Sequence, residues 1–217
     1  MSKKSKLAFV TFLTFVRFPL VLLFFVGAIV YNIKESSSLW LFFLIFAALV
    51  SSALTDLLDG YYARKFKVVT QFGSHVDPLM DKFFYLASLP LLIFLSAKNG
   101  MQSPDHSVAY ATALLVLTLF FLARDQWVTF LRSIGSLYNV SGKANWSGKL
   151  RTAINFPMIC VVYYCEEAPS SIQFLPVEIA YGLVGITIIL TVISLFVYNK
   201  QYWPYLKKAA CVDMIEE

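Results

Sequence analysis

The stretch that decides the fold is Leu39–Asp81, LWLFFLIFAALVSSALTDLLDGYYARKFKVVTQFGSHVDPLMD. It begins as an apolar run long enough for a membrane span, which takes about 20 residues. It then presents four aspartates, Asp56, Asp59, Asp77 and Asp81, before a second apolar run begins. A carboxylate in or beside hydrocarbon costs several kcal/mol unless something compensates it. Four at the ends of two spans therefore need a chemical reason.

The rest of the chain agrees with a membrane setting. Of its 217 residues, 59% are hydrophobic and 14% charged, against roughly 45–50% and about 25% in soluble domains. The composition predicts an all-α, polytopic membrane protein forming a single domain over residues 1–217. Apolar runs at about 18–33, 39–63, 77–97, 107–131, 150–166 and 175–198 predict six transmembrane helices. The start, MSKKSKLAFVTFLTFV, has the lysines and apolar run of a signal peptide, but Arg17 and Pro19 interrupt it and no small-residue cleavage site follows. It is read as an interfacial amphipathic helix at 3–16 leading into an uncleaved first span.

The net charge of +5 does not signal nucleic acid, because the basic residues cluster at the ends of apolar runs. Lys3, Lys4 and Lys6 precede span 1. Arg64, Lys65 and Lys67 lie between spans 2 and 3. Arg132, Lys143, Lys149 and Arg151 lie between spans 4 and 5, and Lys200, Lys207 and Lys208 follow span 6. The alternate loops offer Lys34 and Lys98 alone. The positive-inside rule then puts both termini and the aspartate cluster at the cytoplasmic face, with an inner-membrane location if the source is bacterial. Cys160, Cys165 and Cys211 lack ligand spacing and read as packing residues. Gly182 and Gly185 suggest close packing of span 6.

Helical geometry turns about 100° per residue. Asp56 and Asp59 (i, i+3) share a face at the end of span 2, with Gly60 and Ala63 on the same side; Asp77 and Asp81 (i, i+4) are one turn apart at the start of span 3. The short connection lets the spans run antiparallel and the pairs converge. Their repulsion is relieved by protonation, by Arg or Lys partners, or by divalent metal. Hard oxygen donors without His or Cys suit Mg2+, Mn2+ or Ca2+, and two such ions balance four carboxylates. Asp77 before Pro78 also fits a helix N-cap, and His75 is a weaker ligand candidate beside so many oxygens.

Asp56-xx-Asp59-Gly60-xx-Ala63-Arg64, eight residues, then Gly73-xxx-Asp77-xxx-Asp81 resembles, at every fixed position, the signature of the CDP-alcohol phosphotransferase family. Six spans, cytoplasmic termini and Thr14-xx-Arg17 fit it as well; Thr11 stands where many relatives have Asn. The segments HVDPLMDK, ARDQWVTFLR (Ala123–Arg132, with Asp125 where Glu is usual) and ANWSGKLRTA (Ala144–Ala153) are similar to the phosphatidylglycerophosphate synthase branch. Cardiolipin synthases share the first of these. The resemblance implies two divalent cations, Mg2+ or Mn2+, held by Asp56, Asp59, Asp77 and Asp81, with Asp81 also the general base. It assigns Asp56, Gly60, Ala63, Arg64 and Gly73 to the CDP-lipid, CDP-diacylglycerol, and implies a homodimer.

The acceptor is read from basic residues further on. Arg124 and Arg132 are eight apart on span 4, and Lys149 and Arg151 open span 5. Together they suit a phosphate-bearing alcohol, which favours glycerol 3-phosphate and a phosphatidylglycerophosphate product. Topology signals or lipid head groups account equally well for Arg132, Lys149 and Arg151, and an ion pair with Asp125 accounts for Arg124. Other acceptors of the family, as in cardiolipin or phosphatidylinositol-phosphate synthesis, stay open. A divalent-cation channel or transporter is the alternative from another class; against it, no matching acids lie deeper in the spans.

Overall fold

In the computed structural model the described residues are 3–34, 38–66, 68, 71–102, 108–140 and 146–212. They form six α-helices: α1 (Lys3–Ile33), α2 (Leu39–Phe66), α3 (Gln71–Gln102), α4 (Val108–Leu137), α5 (Trp146–Glu167) and α6 (Val177–Val212). Each buries a stripe repeating every three or four residues, the spacing of left-handed helix packing. On α1 the stripe is Val10, Thr14, Arg17, Val21, Phe24, Ala28 and Tyr31. On α4 it runs Tyr110, Leu114, Leu117, Phe121, Arg124, Val128, Leu131 and Gly135. On α6 it runs Ala180, Val184, Thr187, Thr191, Ser194, Tyr198 and Tyr202. α1 packs on α2 and α3, α4 on α3 and α6, and α5 on α2, α3 and α6. Phe24, Leu49, Leu92, Leu117, Ile159, Val162 and Tyr163 meet at the centre with no exposed surface.

Outward faces carry large apolar side chains such as Leu44, Leu86, Leu119, Ile189 and Phe196, the surface of a protein solvated by lipid. Five helices, α1, α2, α3, α4 and α6, are long and apolar enough to cross a membrane among the described residues. α5, the expected fifth span, is a helix of 22 residues. Its buried stripe holds Ser147, Arg151 and Asn155, and it ends in Glu166 and Glu167, so its apolarity is lower than that of its neighbours.

Three expectations are corrected. The interfacial segment 3–16 and the first span are one helix, unbroken through Pro19. The physical reason is the continuous buried stripe, which ties both halves to the same neighbours and outweighs the backbone bond lost at proline. At 1.5 Å per residue, α1 is about 46 Å long, longer than the roughly 30 Å hydrocarbon layer, so one end still projects beyond it. Second, α3 begins at Gln71, so Gly73 and Asp77 lie inside the helix and Asp77 is not its cap. Third, a Cβ added at Gly182 or Gly185 would meet no atom within 4 Å among the described residues; these glycines face outward rather than mediating packing within the chain.

Candidate active site

The buried stripe of α2 runs Phe42, Ile45, Leu49, Ser52 and then, one and two turns on, reaches Asp56 and Asp59. That of α3 begins at Asp81 and continues through Tyr85, Ser88, Leu92 and Leu95. The carboxylates therefore sit where the buried stripes of α2 and α3 change from apolar to charged; among the described residues these two helices pack not on each other but each on α1. A third helix supplies the partner. Arg17, 2% exposed, donates from Nη2 to Asp56 Oδ1 (2.5 Å) and Asp59 Oδ2 (3.0 Å), and from Nη1 to Asp81 Oδ1 (2.9 Å). Thr14, one turn earlier, donates to Asp59 Oδ2 at 3.1 Å. Asp59 is the most enclosed of the three carboxylates and Asp81 the most open, at 5% and 44% side-chain exposure. A cleft leads off this cluster, lined by Arg17, Ser52, Asp56, Asp81, Phe84, Tyr85, Thr152 and Phe156. Gly60 and Ala63 lie half-buried on the next turns of α2, and Val68 N–H closes the helix end on Ala63 O at 3.1 Å.

Thus Asp56, Asp59 and Asp81 are brought together as the spacing predicted. The side chains of Arg64, His75, Asp77 and Lys149 lie outside the described part, as does Gly73 beyond its backbone. The donor set is chemically right for a hard divalent ion, and the guanidinium stands among the carboxylates as a stand-in cation. Among the described residues no three acidic, histidine or cysteine side chains enclose a common ion position.

Beyond Tyr85, one of the residues lining this pocket, lies a second, basic cluster. Tyr85 packs on Phe121, ring centroids 4.6 Å apart, and the Arg151 guanidinium lies 4.3 Å over the other ring partner's centroid, that of Phe121. Arg151 Nη2 donates to Asp125 Oδ1 at 2.6 Å, and Arg124 Nη1 to the same oxygen at 3.0 Å. Arg124 Nη2 reaches Ser194 Oγ on α6 (2.5 Å), and Arg132 Nη2 reaches Tyr198 Oη (2.7 Å). Arg124 and Arg132 both flank the Tyr198 ring, at 4.9 and 5.3 Å. Two guanidinium groups, those of Arg124 and Arg151, thus share the Asp125 carboxylate while Arg132 bonds a phenol, so among the described residues the cluster's three arginines face one carboxylate, a net excess of two positive charges. Arg124 Nε, Arg132 Nε, Arg151 Nε and Nη1, Ser147 Oγ and both amide atoms of Asn155 are buried without a partner among the described residues. Orphaned buried donors on this scale mark a place where a ligand or water completes the bonding. Gly148 keeps it open: a Cβ there would stand 3.1 Å from Tyr198 Oη and 3.7 Å from Arg124 Nη2.

The structure brings Arg124, Arg132 and Arg151 together, as the sequence groups them; Arg17 enters the sequence reading as an interruption of an apolar run and through the Thr14-xx-Arg17 resemblance, with no role assigned, and Ser194 and Tyr198 are not singled out. Arg17 had a signal: an arginine inside an apolar run is expensive unless paired, and the aspartates were the available partners. Ser194 and Tyr198 carry none, since neither differs in sequence from an ordinary packing residue.

Residues 8–198 match the family model for CDP-alcohol phosphatidyltransferases. The chain belongs to the CDP-alcohol phosphatidyltransferase family. Members of this family depend in general on a divalent metal. The membership also sets aside the ion-channel alternative. The chain is 27% identical, over 158 residues, to the CDP-diacylglycerol–glycerol-3-phosphate 3-phosphatidyltransferase of Bacillus subtilis, covering 73% of this chain and 72% of that protein. It is 28% identical over 194 residues to the protein of the same name from Treponema pallidum, covering 87% and 80%. A rice cardiolipin synthase (CMP-forming) is 27% identical over 161 residues, 73% of this chain and 48% of that one.

Proposed function

We propose that this protein transfers the phosphatidyl group of CDP-diacylglycerol to the hydroxyl of glycerol 3-phosphate, giving phosphatidylglycerophosphate and CMP. The observation that carries the choice of acceptor is the arginine cluster beside the aspartate cleft, with a net excess of two positive charges and unfilled donors among the described residues. A doubly charged phosphomonoester suits it, and arginine binds such groups through paired N–H donors. The names of the bacterial relatives point the same way.

In this reading Asp56, Asp59, Asp77 and Asp81 hold two divalent ions, Mg2+ or Mn2+. When bound, such ions offset charge developing on the pyrophosphate. Asp56, Gly60, Ala63, Arg64 and Gly73 cradle the cytidine and its phosphates, with the small residues of α2 leaving room beside the helix. Arg124, Arg132, Lys149 and Arg151 hold the acceptor phosphate, so that its hydroxyl projects along the cleft past Tyr85. The hydroxyl oxygen bonds to the lipid-side phosphorus as the bond from that phosphorus to the CMP oxygen breaks. Asp81, the most exposed of the three described carboxylates, takes the hydroxyl proton as the new bond forms. The acyl chains stay in lipid throughout.

The clustering of Lys and Arg at the site end of the bundle supports a cytoplasmic active site and cytoplasmic termini, tested by labelling single-cysteine variants from either side. The homodimer implied by the family resemblance is tested by the mass of the detergent-solubilised protein.

The decisive assay incubates purified protein with CDP-diacylglycerol, Mg2+ or Mn2+, and in separate tubes glycerol 3-phosphate, inositol phosphate or phosphatidylglycerol. CMP and phosphatidylglycerophosphate are expected with the first. Release of CMP only with phosphatidylglycerol would make the protein a cardiolipin synthase, the reading the rice relative favours.

A further inference from the structure

Three carboxylates from α2 and α3 converge on one guanidinium from α1, and that guanidinium is all but sealed from solvent. Its Nη2 serves two carboxylates and its Nη1 the third. Without it, Asp56, Asp59 and Asp81 would repel one another at low dielectric. With it, the three carboxylates gather around the guanidinium. Any divalent ion bound there shares these carboxylates with Arg17 and meets a fixed positive charge. Arg17 is itself costly to displace, since a buried arginine stripped of its partners loses several kcal/mol. The pyrophosphate of a nucleotide changes this balance: it brings negative charge that the guanidinium and the ions both favour.

We propose that Arg17 is a built-in counterion that holds the aspartates together in the ion-free protein and weakens their grip on divalent cations, so that ions load together with the nucleotide. This rests on the reading of the aspartates as the ion site. The device spares the empty enzyme from scavenging cations and makes completion of the site conditional on substrate.

The test measures Mn2+ binding to the full-length protein in nanodiscs, from the paramagnetic signal of free Mn2+, with and without CDP as the probe. Wild type is expected to bind Mn2+ weakly alone and at least roughly tenfold more tightly with CDP. Arg17→Gln is expected to bind Mn2+ alone at least about tenfold more tightly than wild type, with a smaller gain from CDP. Its ion-free form should melt lower and recover more on adding Mn2+. Arg17→Lys, which keeps the charge, should stay near wild type. Mn2+ affinity in Arg17→Gln equal to or weaker than wild type would overturn the proposal. If Arg17→Gln does not fold, wild type decides alone: equal Mn2+ affinity with and without CDP overturns it. Wild type that takes no Mn2+ in either condition overturns the ion-site reading itself, and this inference with it.

Discussion

Arg151→Ala tests the proposed acceptor contact apart from the packing that the arginine cluster provides. Arg151 contacts Asp125 and the Phe121 ring, and its Nε and Nη1 have no partner among the described residues. Removing it leaves Asp125 paired to Arg124 at 3.0 Å and leaves the α4–α6 bonds of Arg124 and Arg132 in place. The bundle should therefore survive the change. Hydrogen bonds to charged groups contribute about 1.5–3 kcal/mol, so loss of the arginine–phosphate contact should raise the KM for glycerol 3-phosphate roughly 10- to 150-fold. The KM for CDP-diacylglycerol, which the proposal places at the aspartates, should change less than about threefold by comparison. The assay titrates labelled glycerol 3-phosphate at saturating CDP-lipid, then reverses the roles, in mixed micelles of fixed composition. Equal increases in both KM values, or an unchanged glycerol 3-phosphate KM in a folded variant, would refute the assignment.

Other outcomes follow from single residues. Asp81→Asn should lower CMP release by about 10²–10⁴-fold, the usual contribution of a positioned base, with the far-ultraviolet spectrum unchanged; an active variant removes Asp81 as proton acceptor. Burial pushes the Glu167 carboxyl up from 4.5 to about 7, with Glu166 adding to it and the Asn32 amide and Lys98 pulling against it. Folding thus favours the protonated form, and wild type should lose stability as pH rises from about 4.5 to about 7. Glu167→Gln should melt above wild type at alkaline pH and approach it in acid; a difference independent of pH would exclude the carboxyl as its cause. Gly135→Ala would put a methyl 2.4 Å from Tyr202 Cε1, against a ring that is itself buried and stacked on Tyr198. Overpacking of this kind costs roughly 1–3 kcal/mol, visible as a lower melting temperature, and an unshifted melt would mean that the ring yields freely.

What could be read from the sequence, and what could not, divides along physical lines. The helices were legible because hydrocarbon demands long apolar runs, and the aspartates because regular spacing along one helix fixes which side chains share a face. Arg17 was read as an interruption of a span, although its stripe position, three residues after Thr14 and four before Val21, already put it on the buried face. Its partners lie 39, 42 and 64 residues away, and no local period reports which carboxylates another helix will bring. The apolar run marks span 3 from about residue 77, where Asp77 before Pro78 also fits an N-cap. The helix instead begins at Gln71, and Pro78 is accommodated within it. Ser194 and Tyr198 became functional candidates only through α4 lying against α6.

The end of the bundle away from the site has its own consequence. There Asn32 donates to Glu167 at 2.8 Å, Lys98 to the Asn32 side-chain oxygen at 3.2 Å, and Asn99 to Glu166 at 2.7 Å. These bonds rivet the tips of α1, α3 and α5 to one another. From that rivet to Arg151 is sixteen residues of α5, a lever of about 24 Å at 1.5 Å per residue. A tilt of only about 5° about the fastened end sweeps Arg151 through about 2 Å, while the rivet itself hardly moves. The three helices that bear Arg17, Asp81 and Arg151 are thus fastened at one end, so a small change of tilt there is magnified at the clustered charged side chains.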